Sequence, residues 1–545
     1  MVWILIKDIR LPITELSLSA TDFALKKAYS LFGRSNVGEA HVYKKSVDAR
    51  RRDSISVVYS VAVSLSTSPS EELLQKHGIT LIADTDIEVK KGSEPMTGRP
   101  VVVGNGPCGM FCALLLAENG YRPIVIERGD SVENRTKAVE SFYSTKKLDT
   151  ESNIQYGAGG AGTFSDGKLV TRINDGRCRY VLSRFAEFGA PKEIMTLAKP
   201  HIGTDKLVEV VSALNRRIEE AGGEIMYRTA LTGFVRSSDG VITAVKTSRG
   251  DIPCGAVVLA TGNSARDVYT YLLASGFDMI EKPLSVGVRI EHLRIDVENA
   301  LFGADMMRAA EKNGALRELL GHAEYAYSHR ENGRAAYTFC MCPGGEVVCG
   351  SSEEGGVVVN GMSRHARNGR NSNCAVCVSV TPEEARAFGG TMELCRMLER
   401  KAYQLGGGSY AAPIQTVGDF LDFKGKYTEP SRVLPTYMGD SGHVKVARLD
   451  TMFPDFVSDM LKKGIRRFSG YMKGFDAPHA VLTGAETRTS APYRVLRLDN
   501  GVSPCAPNLY PCGEGAGYAG GITSSAVDGV AQAQSIMSRF SPFSD

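Results

Sequence analysis

Apolar and polar residues alternate through Ile55-Ser-Val-Val-Tyr-Ser-Val-Ala-Val-Ser64, the period of a strand with one buried face. The same reading along the first ninety-odd residues gives strands over 3–13, 40–50, 54–65 and 79–89 and helices over 21–32 and 69–77. That order is βαββαβ, the ferredoxin-like split motif. Ser68 and Glu71 have capping-box spacing, with Pro69 at the first helical position, and Gly78 closes the helix they open. A linker follows, Lys90 to Pro100, with two glycines and two prolines.

Beyond Arg99 the pattern changes. Pro100-Val-Val-Val103, Pro123-Ile-Val-Ile126 and Ala256-Val-Val-Leu-Ala260 are short, wholly apolar runs, the mark of parallel strands buried on both faces. Helices are predicted over 107–119 and 204–221, and turn-separated strands over 224–228, 231–236 and 241–247. Between about 290 and 475 this rhythm is lost, apart from a helix opened by Thr381-Pro-Glu-Glu384 and another over 453–468, and it returns at Asn508-Leu-Tyr-Pro-Cys-Gly513. The prediction is an α/β chain: a ferredoxin-like domain over 1–95, then a Rossmann-like domain over 99–290 and 479–545, interrupted by a substrate or cap domain over 291–478.

Composition narrows the function classes. The 58 glycines in 545 residues exceed the usual share of about 7%, which directs attention to close backbone approaches. Charge is nearly balanced, 64 Lys+Arg against 61 Asp+Glu, so composition does not advertise nucleic acid or an anionic membrane. No apolar run reaches the ~18 residues of a membrane span and the start lacks the sequence of a secretory signal, so a cytoplasmic protein is expected. Twelve cysteines in such a chain read as reduced thiols. The CxxC at Cys374 and Cys377 lies in a predicted strand, where residues three apart face opposite ways, so no metal is expected there or elsewhere.

The chemistry starts at Gly104-Asn-Gly-Pro-Cys-Gly109. This GxGxxG follows a buried strand, opens an apolar helix and precedes Glu127, about twenty residues on at the end of the next strand. Gly104 makes the tight turn, Gly106 lets backbone N–H groups reach a pyrophosphate at the helix start, Gly109 permits close helix packing, and Glu127 takes ribose hydroxyls while repelling a 2′-phosphate. Two further segments end strands in small or acidic turns: Val257-Val-Leu-Ala-Thr-Gly262, and Leu509 to Thr523 with Gly513, Glu514, Gly520 and Gly521.

With these motifs the chain resembles the two-dinucleotide-fold flavoproteins, and more closely a bacterial family of uncharacterised FAD-dependent dehydrogenases with a ferredoxin-like domain in front. The resemblance rests on Ser46 to Arg50, Pro100 to Gly109, Ile126 to Gly129, Gly159 to Leu169, Gly484 to Ser490 and Gly513 to Asp528. It implies FAD as cofactor, held by Gly104, Gly106, Pro107, Gly109, Glu127, Arg128, Gly160, Gly162, Thr163, Lys168, Leu231, Ala260, Gly262, Gly513, Glu514, Gly520, Gly521 and Ile522. Glu514 stands where the family usually has Asp. The helix beginning near Gly521 would turn its positive end to the flavin N1/O2 edge. In disulfide-reductase flavoproteins a cysteine pair falls near Gly157 to Gly167; this chain has none from 113 to 177, so dithiol catalysis at the flavin is not expected.

The leading expectation is an oxidoreductase moving a hydride between flavin N5 and a small, anionic molecule. Arg488, Lys168 and Arg364 are the candidate catalytic residues, with Arg488 and Arg364 clamping the anion over the flavin. With one GxGxxG-plus-acid unit visible, NAD(P)H would dock only transiently. A competing reading is an RNA-modifying or RNA-binding flavoprotein gripping phosphates with Lys44, Lys45, Arg50, Arg51 and Arg52, although residues 1–98 hold 13 Lys+Arg against 12 Asp+Glu. A third makes the N-terminal domain a docking surface for a partner protein.

Overall fold

The computed structural model describes residues 1–82, 87–439 and 443–542. The N-terminal segment contains β1 (Val2–Pro12), α1 (Ala20–Phe32), β2 (Val37–Asp48), β3 (Ser56–Leu65), α2 (Glu71–His77) and β4 (Thr80–Leu81). Its sheet runs β2-β3-β1-β4 and is antiparallel throughout. The expected strand over 79–89 is paired only at Thr80–Leu81; residues 83–86 lie outside the described residues and 87–89 are irregular. The cap of α2 is Ser70 rather than Ser68: its hydroxyl accepts the Leu73 N–H, and the helix starts two residues after Pro69.

This segment is docked tightly to the rest of the chain. Ile13, Ile55 and Val57 belong to one apolar cluster with Val297, Phe302, Leu316 and Leu320. Lys45 exchanges backbone hydrogen bonds with Thr196 and Ala198, and the Gly92 N–H donates to the Met537 carbonyl. The supposed linker is thereby laid along the last helix of the fold.

The nucleotide-type sheet comprises β5 (Pro100–Val103), β6 (Ile124–Ile126), β7 (Glu224–Met226), β8 (Ala256–Leu259) and the late β16 (Leu509–Pro511). Its order is β16-β8-β5-β6-β7 and every pairing is parallel. On one face lie α3 (Pro107–Glu118), α5 (Thr204–Glu220) and α8 (Ile522–Arg539), whose buried Phe111, Leu114, Leu214 and Ile536 share one cluster. On the other lies a small antiparallel sheet formed by 231–236, 242–247 and 250–253. The helix α4 (Val132–Thr145), absent from the sequence reading, follows β6.

The interrupting region is built on a seven-stranded sheet of β9 (Leu284–Leu293), β10 (Ser328–Glu331), β11 (Arg334–Cys342), β12 (Asn371–Val380), β13 (Ala412–Thr416), β14 (Val444–Val446) and β15 (Val481–Glu486), in the order β10-β11-β12-β9-β15-β13-β14. It draws in β9 and β15, which reach beyond the 291–478 expected from sequence. Both are central strands with every residue, or all but one, buried, including the charged Arg289, Glu291 and Glu486. The helices α6 (Thr391–Leu405) and α7 (Asp455–Ser469) pack against it. Cys374 and Cys377 are buried within β12.

Candidate functional site

Because β16, β8, β5 and β6 are adjacent and parallel, their carboxyl ends deliver Gly513, Ala260, Gly104 and Glu127 to one edge of the sheet, where ligands of such sheets bind. The ladder continues past the strands: Gly104 N–H donates to Ile126 O, Ala260 N–H to Val103 O and Cys512 N–H to Leu259 O. Gly104 has φ of 103°, and a Cβ there would run into the Ala260 carbonyl. Pro107 occupies the first turn of α3 after the Gly106 cap, and a Cβ on Gly109 would overlap the Gly104 carbonyl oxygen. Gly106 is different: a Cβ there would meet only the Gly160 Cα, at 3.7 Å.

Residues 157–169 form the wall of the cleft. Gly160 touches the phosphate-type loop at Gly106, while Gly162 sits against Ile522 at the start of α8. One residue further on, the Thr523 hydroxyl donates to the Leu169 carbonyl at 2.8 Å, so Lys168 stands beside the α8 N-terminus. Gly520 and Gly521 there are exposed. The Thr163 carbonyl accepts the Thr204 hydroxyl at the start of α5. What holds this wall is Arg135 on α4, wholly buried, whose guanidinium donates to the carbonyls of Asn153, Ile154, Gly157, Ala158 and Gly160. Sequence reasoning missed it, since nothing local distinguishes Arg135 from a solvated helix arginine.

Several expected contacts are already engaged within the chain. The Glu127 carboxylate accepts the backbone N–H groups of Asn105 (2.8 Å), Gly129 (2.8 Å) and Gly157 (3.0 Å). Arg128 is bidentate to Asp267 and stacks on the Tyr156 ring. Leu231 packs in the apolar cluster on the far face of the sheet with Ile124 and Phe234. Glu514 receives the Asn263 amide at 2.8 Å; burial pushes its carboxyl up, opposed by Asn263 and the Gly521 N–H. Gly262 lies in the turn that follows β8, immediately before Asn263.

The arginine pair expected to clamp an anion is not assembled. Arg488 is buried, with its guanidinium 3.3 Å from Glu399 and 2.6 Å from the Ser352 hydroxyl, and Glu399 is shared with Arg266 at 2.7 Å. Arg364 is exposed, its backbone beside Gly203. Three residues on, Arg367 is buried on Asp166 and Glu324 (2.8 Å), and Asp166 also accepts the Ser363 hydroxyl. The sequence fixes neither partner, because each lies tens to hundreds of residues away.

A second cluster lies where the inserted sheet meets this wall. Arg289 on β9 is fully buried and bidentate to Glu486 on β15, and it also donates to Asn373, Asn360 and the Cys340 carbonyl (3.0 Å). Cys340 and Cys342 lie at a bulge of β11, one extra residue against β12 between Phe339 and Cys342. The Cys342 thiol donates to the Cys340 carbonyl at 3.4 Å. Cys342, Lys168 and Arg289 hold the Cys340 thiol below its ordinary range against the cost of burial. Burial disfavours the Lys168 ammonium, but Cys342, Cys340 and Asp166 (3.6 Å) more than offset it and raise its pKa. Elsewhere Cys108, Cys512 and Asp528 come within 4.8 Å of one another, yet Asp528 is already occupied by Arg497 and the Gly513 N–H.

Residues 283–489 match the family described as FAD-dependent protein, C-terminal domain-like. An uncharacterized protein of Clostridium beijerinckii (strain ATCC 51743 / NCIMB 8052) is 41% identical over 520 residues, spanning 93% of this chain and 94% of that one. The chain belongs to this family of FAD-dependent proteins. Among solved structures, glycine oxidase from Bacillus cereus ATCC 14579 is similar at 10% identity and a TM-score of 0.34, over 82% of this chain and 99% of that one. The L-amino acid deaminase from Proteus vulgaris is similar at 13% identity and a TM-score of 0.32, over 84% and 97%.

The cleft fits FAD on its own terms. Both polar atoms of the Asn105 side chain are buried within the phosphate-type loop and have no partner among the described residues. A Cβ on Gly106 would make only an ordinary contact, with Gly160, and Gly520 and Gly521 at the N-terminus of α8 are exposed. Among the described residues no helix is long and apolar enough to cross a membrane.

Proposed function

We propose that this FAD-dependent oxidoreductase exchanges a hydride between flavin N5 and a small molecule admitted where the inserted sheet meets the nucleotide sheet. The observation that carries this reading is the continuous wall from Gly106 through Gly160 and Gly162 to Ile522, laid along the carboxyl ends of parallel strands. When bound, FAD supplies the two-electron chemistry. The chain's residues hold and bias it. Free N–H groups at the start of α3 suit a diphosphate, and the acceptor site left on the Glu127 carboxylate, three of about four being taken, suits a ribose hydroxyl.

The open N-terminus of α8 and the Lys168 ammonium together place positive potential where negative charge develops on reduction. An anionic group on the substrate finds its cation in Lys168 rather than in Arg488. Lys168 is a quarter exposed, and the Asp166 carboxylate beside it is already satisfied by Arg367 and Ser363. A nicotinamide donor would dock transiently at the same face. Of the residues the RNA reading relies on, Arg50 is paired with Asp48.

An anaerobic screen of amino acids, hydroxy acids and NAD(P)H, read by bleaching of the flavin absorbance, tests the proposal. One class should bleach wild type and do so more slowly in a FAD-loaded Lys168→Met variant. A purified protein that carries no FAD, or equal bleaching rates in both proteins, refutes it.

A further inference from the structure

We propose that His201 is a positioning residue for Lys168, and that the N-terminal domain acts on the flavin site through the segment His201 belongs to, residues 196–203. The proposal rests on the reading of Lys168 as the cation beside the flavin and adds what holds it there. Residues 196–203 form no helix or extended strand, yet their backbone is hydrogen-bonded to distant parts of the chain. At one end, the Lys45 N–H on the edge strand β2 donates to the Thr196 carbonyl at 2.7 Å, and the Ala198 N–H donates to the Lys45 carbonyl at 2.9 Å. In the middle, the Leu169 N–H donates to the Pro200 carbonyl at 2.9 Å and the Ile202 N–H to the Gly167 carbonyl at 3.0 Å. These two bonds bracket an isolated antiparallel bridge between Lys168 and His201. At the far end, the Gly203 N–H donates to the Asp166 carbonyl, and the next N–H, that of Thr204, to the Ser363 carbonyl of the inserted domain.

His201 pins the middle of this segment. Residues directly opposite in an antiparallel pair have Cβ atoms about 5 Å apart on one face, so the His201 ring and the Lys168 side chain leave the backbone together. The ring Nε2 lies 3.0 Å from the His365 carbonyl oxygen, which can only accept, so Nε2 carries the proton. His365 reciprocates: its Nδ1 donates to the Ile202 carbonyl at 3.0 Å, and the two rings stack with centroids 5.2 Å apart. Burial, and after it the Arg367 charge, lowers the His201 pKa to about 4. Near neutral pH the ring is therefore uncharged, with its one proton given to His365, and adds no charge to repel the Lys168 ammonium.

Lys168 depends on such a support because it stands outside any helix or strand. The Asp166 carboxylate, 3.6 Å away, is too far for a direct hydrogen bond and is held by Arg367 and Ser363. The place of the ammonium is set by the backbone beneath it, held from the α8 side by the Thr523 hydroxyl on the Leu169 carbonyl and from the other side by residues 200–203. The outward N–H and C=O of Lys45, groups an edge strand otherwise leaves unpaired, hold the outer end of the same segment. That pairing gives the N-terminal domain a part in the flavin site beyond that of a tethered module.

The test uses full-length, FAD-loaded protein and two readouts other than turnover. In His201→Ala, hydrogen exchange at the Leu169, Ile202 and Gly203 amides should quicken about threefold to tenfold, the effect of removing one hydrogen bond from the support. The flavin midpoint potential should fall in His201→Ala, in the same direction as in Lys168→Met, because an ammonium held beside the flavin favours its reduced, anionic form. His201→Gln, whose amide nitrogen can take the place of Nε2, should restore both. If His201→Ala does not fold, Lys45→Pro frees the outer end of the segment by removing the N–H that meets Thr196, a substitution an edge strand accepts, and should produce the same two changes. Unchanged exchange overturns the proposal, and so does a wild-type potential in these variants beside a lowered one in Lys168→Met, which would leave His201 a structural residue only. An unchanged potential in Lys168→Met instead overturns the reading of Lys168 itself, and the proposal falls with it.

Discussion

Gly106 and Gly109 belong to one motif, yet the structure assigns them separable roles that a pair of alanine variants can resolve. Gly106 has φ of −82° and ψ of −178°, which any residue adopts, and its Cβ would meet nothing closer than 3.7 Å. The fold should therefore tolerate Gly106→Ala at the cost of a weaker helix cap, about 1 kcal/mol or less. The added methyl, however, enters the space a diphosphate must occupy to reach the N–H groups of α3. Losing two charge-assisted hydrogen bonds of about 1.5–3 kcal/mol each weakens FAD binding by about 3–6 kcal/mol, some hundredfold to ten-thousandfold. Gly109→Ala should do the reverse damage. Its Cβ overlaps the Gly104 carbonyl, so the helix must move off the strand, an overpacking cost of about 1–3 kcal/mol or more that falls on the apoprotein. Thermal unfolding of the apoproteins by circular dichroism, with FAD titration followed by flavin fluorescence, separates the two. Wild-type FAD affinity in Gly106→Ala, or wild-type apoprotein stability in Gly109→Ala, would refute the assignment.

Three further outcomes follow from buried charge. Glu486→Gln leaves the fully buried Arg289 without a counter-charge and should cost about 3–5 kcal/mol in urea unfolding, whereas a surface ion pair would cost under about 1. Arg488→Ala should lower stability by about 1.5–3 kcal/mol while leaving FAD content and substrate turnover unchanged, since Glu399 keeps Arg266; a selective loss of turnover would restore the anion clamp. His292 is buried against the Phe475 carbonyl, and burial lowers its pKa to about 4. Between pH 6.5 and 4 the unfolded chain binds a proton there that the native chain does not, so stability falls with pH through that window by about 3 kcal/mol, and His292→Gln should flatten that part of the profile.

What the sequence reveals about this chain follows the range of each interaction. The strands β5, β6 and β8 are legible because a parallel strand buried on both faces is written as an unbroken apolar run. GxGxxG is legible because turn, helix start and acid are consecutive or one strand apart. The extent of the inserted sheet is not legible at its two ends because β9 and β15 mix apolar residues with Arg289, Glu291 and Glu486, charges that are buried only through partners supplied by distant strands and loops. Short-range capping logic chose Ser68 where the chain uses Ser70, two residues later.

The charged residues divide in the same way. Arg488, Arg364 and Lys168 can be singled out as candidates from neighbouring polar residues, but what each does depends on a partner brought in by topology: Glu399 from α6 silences Arg488, and Asp166 takes Arg367 instead of Arg364. The same long-range assembly builds the wall of the cleft: the guanidinium of Arg135 on α4 gathers the carbonyls of Asn153, Ile154, Gly157, Ala158 and Gly160, which follow it by some twenty residues. A site at the junction of two sheets draws its groups from whichever elements end there, so spacing along one segment can nominate a charged residue but not the partner that decides what it does.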